Sequence, residues 1–227
     1  MSRYIILTEK KWHEKLFSNL KITFANDSWW LINRVEDFNL ENLSSINPDK
    51  IFIPHWSYII PSEIIENYEC IVFHMTDLPF GRGGSPLQNL IVRGLKSTKI
   101  SAIRVEQKLD AGDVYIKSPL SLEGTAYEIF IRSTYVIEGM IEKVVKNKLH
   151  PVPQVGEIVE FKRRKPADSN WENLSTLEEV FDYIRMLDCE GYPHAFIETP
   201  IFKIEFNKAS FDINEEIITA NVRIIKK

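Results

Sequence analysis

Two short stretches hold the residues best suited to chemistry. In the first, the apolar run Cys70-Ile71-Val72-Phe73 feeds His74, and Met75-Thr76-Asp77-Leu78-Pro79-Phe80-Gly81-Arg82-Gly83-Gly84-Ser85-Pro86 follows at once. Proline and glycine at that density exclude a helix or a central strand, so the reading is a strand that delivers a histidine to a rim. In the second, Ile103-Arg104-Val105-Glu106-Gln107-Lys108 runs into Leu109-Asp110-Ala111-Gly112-Asp113, a strand-like segment ending in a carboxylate-glycine-carboxylate turn. An imidazole titrates near neutrality, and a carboxylate beside it fixes its orientation, which is the equipment of proton transfer. Ligands of open α/β sheets collect outside the carboxyl ends of the strands, where His74 and Asp110 can meet.

The elements needed to position the pair can be read on either side. Arg3 to Thr8 reads as a strand, and Lys11 to Leu20 as a helix with Trp12, Leu16, Phe17 and Leu20 at helical spacing. Ile22 to Ala25 and Trp29 to Ile32 read as short strands around the turn Asn26-Asp27-Ser28, and Val35 to Ile46 as a polar connection with room for a helix. Asp49 to Pro54 is a buried-type strand, followed by the helix Glu63 to Asn67 capped by Ser62, the strand ending at His74, a helix from about Pro86 to Gly94, and the strand Lys99 to Glu106. A long helix from Gly124 to Lys148 closes the series, with Ile129, Val136, Ile137, Met140, Ile141, Val144 and Val145 on one side. Alternating strands and helices predict a mostly parallel, Rossmann-like sheet covered on both faces.

Beyond residue 150 the composition changes. His150-Pro151-Val152-Pro153 and the basic run Phe161-Lys162-Arg163-Arg164-Lys165 read as a linker, Thr176 to Leu187 as a capped helix, and Ile201 to Ala209 and Ile217 to Ile225 as strands. The expected organisation is therefore a catalytic domain over 1–150 and a small C-terminal α+β or β subdomain over 151–227. No internal repeat or low-complexity tract interrupts it.

The 227 residues, 44% of them apolar, suffice for a core without staples. Two cysteines far apart in sequence, Cys70 and Cys189, argue for a reducing, cytoplasmic setting and against a metal cluster. The N-terminal apolar run is too short for a signal peptide or a membrane span. A net charge of −4 offers no global basic field for nucleic acid.

From Ile53 to Asp113 the chain resembles the folate-dependent formyltransferase family. His74-Met75-Thr76-Asp77-Leu78-Pro79 stands for that family's His-x-Ser-x-Leu-Pro loop, Arg82-Gly83-Gly84-Ser85-Pro86 for its Arg-Gly-x-x-Pro continuation, and Leu109 to Asp113 for its Leu-Asp-x-Gly-Asp loop. Arg164 to Trp171 resembles the junction leading into the C-terminal part of the sugar and tRNA members. The resemblance implies a Rossmann-like domain, 10-formyltetrahydrofolate as donor with no metal, a primary amine as acceptor, and His74 with Asp110 as the catalytic pair. It implies a donor pocket drawn from Trp56, Ser57, Tyr58 and Ile60, then Glu106, Gln107, Lys108, Leu109 and Asp113, with His55 as a substrate or structural residue. One position departs. Val72 stands where the family has an asparagine that holds the formyl oxygen, and valine has nothing to donate. A lost donor of this kind costs about 3 kcal/mol of transition-state stabilisation. Thr76, Gln88, Asn89, the N–H groups of 81–84 and a protonated His74 are the candidates to replace it.

The acceptor is read from charge. The segment from Ile158 to Lys227 holds 10 Lys plus Arg against 13 Asp plus Glu, which argues against tRNA. The segment Thr8 to Lys11 also lacks the glycine-rich phosphate loop of the purine-pathway member. A nucleotide-linked amino sugar is therefore the expected substrate, with no nucleic acid or membrane as partner. Lys10, Lys11 and Arg82 are read toward its pyrophosphate, Trp12 toward its base, and Thr76, Gly83 and Gly84 as further substrate contacts. Formylation of an aminoacyl group on tRNA or a peptide synthetase, a non-catalytic folate or nucleotide-sugar module, and a formylfolate hydrolase stand as alternatives. Pairing of two copies through the small appendage is expected by analogy.

Overall fold

A computed structural model describes residues 1–227. In chain order the elements are β1 (Arg3–Thr8), α1 (Glu14–Thr23), β2 (Ser28–Ile32), α2 (Leu40–Ile46), β3 (Lys50–His55), α3 (Ser62–Asn67), β4 (Cys70–His74), β5 (Phe80–Gly83), α4 (Pro86–Ile91), β6 (Ser97–Arg104), β7 (Val114–Ser121), α5 (Ala126–Lys146), β8 (Val159–Phe161), α6 (Leu177–Arg185), β9 (Ala195–Glu198), β10 (Phe202–Asp212) and β11 (Ile217–Lys226).

The main sheet has the order β2-β1-β3-β4-β6-β7. β1 runs parallel to both β2 and β3, and β3 parallel to β4, whereas β4 and β6 are antiparallel. This is the expected mostly parallel Rossmann-like α/β fold. Ile5, Ile6 and Leu7 of β1 and Ile51, Phe52 and Ile53 of β3 are buried without alternation. Strands covered on both faces read as continuous apolar runs for that reason. Successive connections leave β1 toward β2 and β3 toward β4 on opposite sides, so the strand order reverses between β1 and β3.

Contacts divide the chain into two compact units, one of residues 1–83, 99–120 and 131–160, the other of 84–98, 121–130 and 161–227. In the second, β9, β10 and β11 form an antiparallel sheet in the order β11-β10-β9. α6 begins in a capping box, with Thr176 Oγ1 accepting from the N–H of Glu179 at 3.2 Å. Its Arg185 is buried, pairs with Asp182 at 2.6 Å and donates to the carbonyls of Leu122 (2.6 Å) and Gly124 (2.8 Å). A guanidinium taken out of water needs partners of this kind. No helix is long and apolar enough to cross a membrane.

Two local expectations differ from the structure. Ile22 and Thr23 extend α1 rather than forming a strand, and the chain turns at once, with Phe24 N–H donating to the Leu20 carbonyl at 2.9 Å. Leu16 and Leu20, four residues apart and fully buried, carry the helix past the β-branched pair, while Ile22 is left 78% exposed. β5, β7, β8 and β9 lie outside the expected strands. β5 and β8 pair only with each other, as a two-stranded ribbon.

The cysteines are free and buried, and burial pushes the Cys70 thiol up to about 12. A cluster lies near the ends of β1 and β3, where the rings of buried His13 and half-buried His55 approach to 6.4 Å. Burial first, then repulsion from His55 and Lys10, lowers His13 to about 3. Burial and Lys10, against the opposing pull of Glu9, lower His55 to about 4. Both rings are neutral in the folded chain, so their contribution is complete above the unfolded value near 6.5 and is lost as pH falls toward 4. Linkage sets the loss at pH 5 at about 2 kcal/mol per histidine. Urea unfolding at pH 7.5 and pH 5.0 is expected to show the drop, and His13→Gln is expected to remove roughly half of it.

Candidate functional site

β4 ends at His74, and β6 lies beside it with Ser101 opposite the histidine. Ser101 then clamps the descending loop, its hydroxyl donating to the Thr76 carbonyl at 2.7 Å and accepting from Leu78 N–H at 3.2 Å. Lys117 holds the next residues, with Nζ 2.6 Å from Asp77 and donating to the Leu78 carbonyl. Lys99 adds a second contact to Asp77 at 2.9 Å. Partial burial opposes ionisation of Asp77, but hydrogen bonds from the two lysines outweigh it and keep its carboxyl below the usual range. The Leu78–Pro79 bond is cis. The loop returns as β5, placing the Gly81 carbonyl 2.7 Å from Nε2 of His74. A carbonyl only accepts, so Nε2 donates. The Thr76 hydroxyl shares that carbonyl at 3.3 Å.

Nδ1 of His74 faces Oδ1 of Asp110 at 3.5 Å, with both side chains about nine-tenths buried. The other carboxylate oxygen, Oδ2, accepts from Gly83 N–H at 2.8 Å. Asp110 itself occupies the left-handed region at φ 51°. Gly112 is required by contact, because a Cβ there would lie 1.8 Å from the carbonyl oxygen of Arg104. The two sequence stretches thus meet through side chain and backbone together. Their geometry is that of an acid-base relay, with a ring that donates at one nitrogen and faces a carboxylate at the other.

Val72 packs into an apolar cluster with Leu78, Ile103 and Val114. Most candidates to replace its missing donor are engaged elsewhere. Gln88 donates to the Met186 carbonyl at 3.2 Å, and the Asn89 amide to the carbonyls of Gly84, Ser85 and Lys162 at 2.9, 3.1 and 2.9 Å. Gly84 N–H donates to the Phe161 carbonyl at 3.1 Å, and Gly83 N–H serves Asp110.

The other expected site residues fall into separate groups. Arg82 is buried and held by Gln154, at 3.2 Å from Nε and 2.8 Å from Nη2. Lys10 pairs with Glu9 at 3.1 Å and lies over the Trp12 ring at 5.8 Å, and Trp12 meets the edge of His55. These residues gather around His13 and His55, while Lys11 is exposed. Trp56 and Ile60 pack against the core cluster around Ile5 and Phe38. Tyr58 and Leu109 are 53% and 67% exposed, Glu106 and Lys108 are exposed, and the Asp113 carbonyl accepts from Arg104 N–H at 2.9 Å. Ser101, Lys117 and Gln154 escaped sequence reasoning. Each acts on backbone groups distant in sequence, and no local spacing announces that. No group of three or more metal-ligating side chains occurs.

Compared with known proteins, residues 15–126 match the Formyl transferase family and residues 166–225 the methionyl-tRNA formyltransferase C-terminal domain. The solved structure of a methionyl-tRNA formyltransferase from Clostridium thermocellum is 46% identical, covers all of both chains and superposes with a TM-score of 0.95. The methionyl-tRNA formyltransferase of Bacillus cytotoxicus is 31% identical over 67% of this chain and 52% of its own length. The chain spans about half the length of the curated relatives it matches. A sugar N-formyltransferase structure from Shewanella shares the fold at 16% identity, covering 88% of this chain and 94% of its own, with a TM-score of 0.69.

These findings overturn the expected nucleotide-sugar substrate and the exclusion of a nucleic-acid partner. The charge sum misled because a segment total says nothing of where along the segment the charges lie. Lys162, Arg163 and Lys165 are exposed in a row. A local cluster, not a segment's total, decides what a surface attracts.

Gly112→Ala tests the contact that closes the Asp110 turn. The obstacle is backbone, so the turn must shift, and a loss of about 1–3 kcal/mol is expected in chemical denaturation.

Proposed function

Because the chain belongs to the formyl transferase family, we propose that it transfers the formyl group of 10-formyltetrahydrofolate to the amino group of methionyl-tRNA. Full-length identity of 46% to the Clostridium thermocellum protein is the observation that carries this reading, and the C-terminal match supports it. The basic strip supplies a physical counterpart. Lys162 to Lys165 are tied down by the Asn89 amide on the Lys162 carbonyl and by the Ser85 hydroxyl accepting from Arg164 N–H at 3.1 Å. Phosphate oxygens are bound by Lys and Arg in this way without reading sequence.

In the reaction the acceptor amine forms a bond to the formyl carbon, the bond from that carbon to N10 breaks, and one proton passes from the amine to N10. His74 is the residue that moves the proton, and Asp110 holds the ring in register. Tyr58 and Leu109, exposed and apolar, offer walls for the pterin of the donor.

Incubation with 10-formyltetrahydrofolate and methionyl-tRNA, followed by mass analysis of the released amino acid, tests the reaction. Formylmethionine is expected, and formylation of nucleotide-linked amino sugars with methionyl-tRNA left untouched would overturn it. His74→Ala is expected to lower kcat about 10²- to 10⁴-fold with folding intact. Lys162→Ala and Arg163→Ala are expected to raise KM for methionyl-tRNA at unchanged kcat, and to reduce the logarithmic salt dependence by about one each.

A further inference from the structure

Gln154 lies in the strap between α5 and β8, and both ends of its amide are occupied. Nε2 donates to the carbonyl oxygens of Asp110 and Gly112, each at 2.8 Å. Oε1 accepts from Nε of Arg82 at 3.2 Å and from Nη2 at 2.8 Å. One neutral side chain therefore joins the two segments that make the site, the turn carrying Asp110 and the ribbon strand β5. That strand supplies the Gly81 carbonyl to His74 and the Gly83 N–H to Asp110.

The strap is itself fixed. Val152 and Val114 exchange two backbone hydrogen bonds, at 2.7 and 2.9 Å, and Val159 N–H donates to the Pro79 carbonyl at 3.3 Å. Pro151 and Pro153 restrict φ on the approach to Gln154. The grip matters because Asp110 is a non-glycine residue in the left-handed region, a conformation that costs about 1–2 kcal/mol and persists only when surroundings impose it. Gln154 holds the carbonyl of that very residue.

Arg82 gives the second half of the argument. Its guanidinium is buried, and it pairs with no carboxylate. A carboxylate is the preferred partner of such a fork, and Asp110 lies in the same network through Gln154. By taking Nε and Nη2, the Gln154 oxygen leaves the Asp110 carboxylate to His74 and Gly83. We propose that Gln154 is the positioning residue that sets the His74–Asp110 geometry, an inference that rests on the formyl-transfer reading above.

Two variants separate the two ends of the amide. Gln154→Leu removes both, whereas Gln154→Glu keeps an acceptor for Arg82 and loses the donor to the Asp110 and Gly112 carbonyls. Both are expected to lower kcat for formylation of methionyl-tRNA about 10- to 100-fold, as loss of an orienting partner does, with KM for folate and tRNA within about twofold. The pH profile of kcat/KM is expected to change, and the ring-nitrogen chemical shifts of His74 are expected to move in the substrate-free protein. A lower melting temperature with kcat, pH profile and His74 shifts all at wild-type values would reduce Gln154 to a structural support and overturn the proposal. If the wild type formylates no tRNA, the substrate reading fails alone, and the His74 shifts still decide the role of Gln154.

Discussion

The site depends on the Asp110 carboxylate reaching two groups at once, the His74 ring and the Gly83 N–H. Neither contact is available from an ordinary strand end. Asp110 has to leave the β-region, the chain has to pass within contact distance of the Arg104 carbonyl at Gly112, and β5 has to return beside His74. Sheet, loop clamp and strap are all arranged around that single bridge. Ser101 and Lys117 fix the loop leaving His74, and the backbone pairing of Val152 with Val114 fixes the segment that closes over the turn.

How much of this was legible in the sequence follows from the range of the interactions. His74 and Asp110 announce themselves because an apolar run followed by Pro and Gly is a local signal, and the strand-helix alternation that fixes the sheet is local too. Gln154 gave none. It follows two prolines in a stretch that composition marks as a spacer, and its amide donates to carbonyls more than forty residues away in sequence. Ile22 and Thr23 show the converse, where a β-branched pair suggests a strand but buried Leu16 and Leu20 keep the helix going. The burial of Arg82 was equally hidden, since arginine in a glycine-rich loop reads as a solvent-facing charge.

The acceptor was misjudged for a related reason. A summed charge averages over a segment, and the basic run already visible in the sequence disappears in that average. In the structure Lys162, Arg163 and Lys165 stay exposed, anchored through backbone to Ser85 and Asn89. Electrostatic attraction depends on where charges cluster, not on a segment's total.

The two cysteines give the chain a built-in reporter. Both thiols are buried, and Cys70, in the middle of the main sheet, holds its proton far above neutrality. Alkylating reagents attack thiolate, so in the folded state this thiol is shielded twice, by packing and by protonation. Its modification must wait for the strands around it to separate. The rate of labelling at Cys70 therefore meters the opening of the sheet that carries His74, in native buffer and without any denaturant.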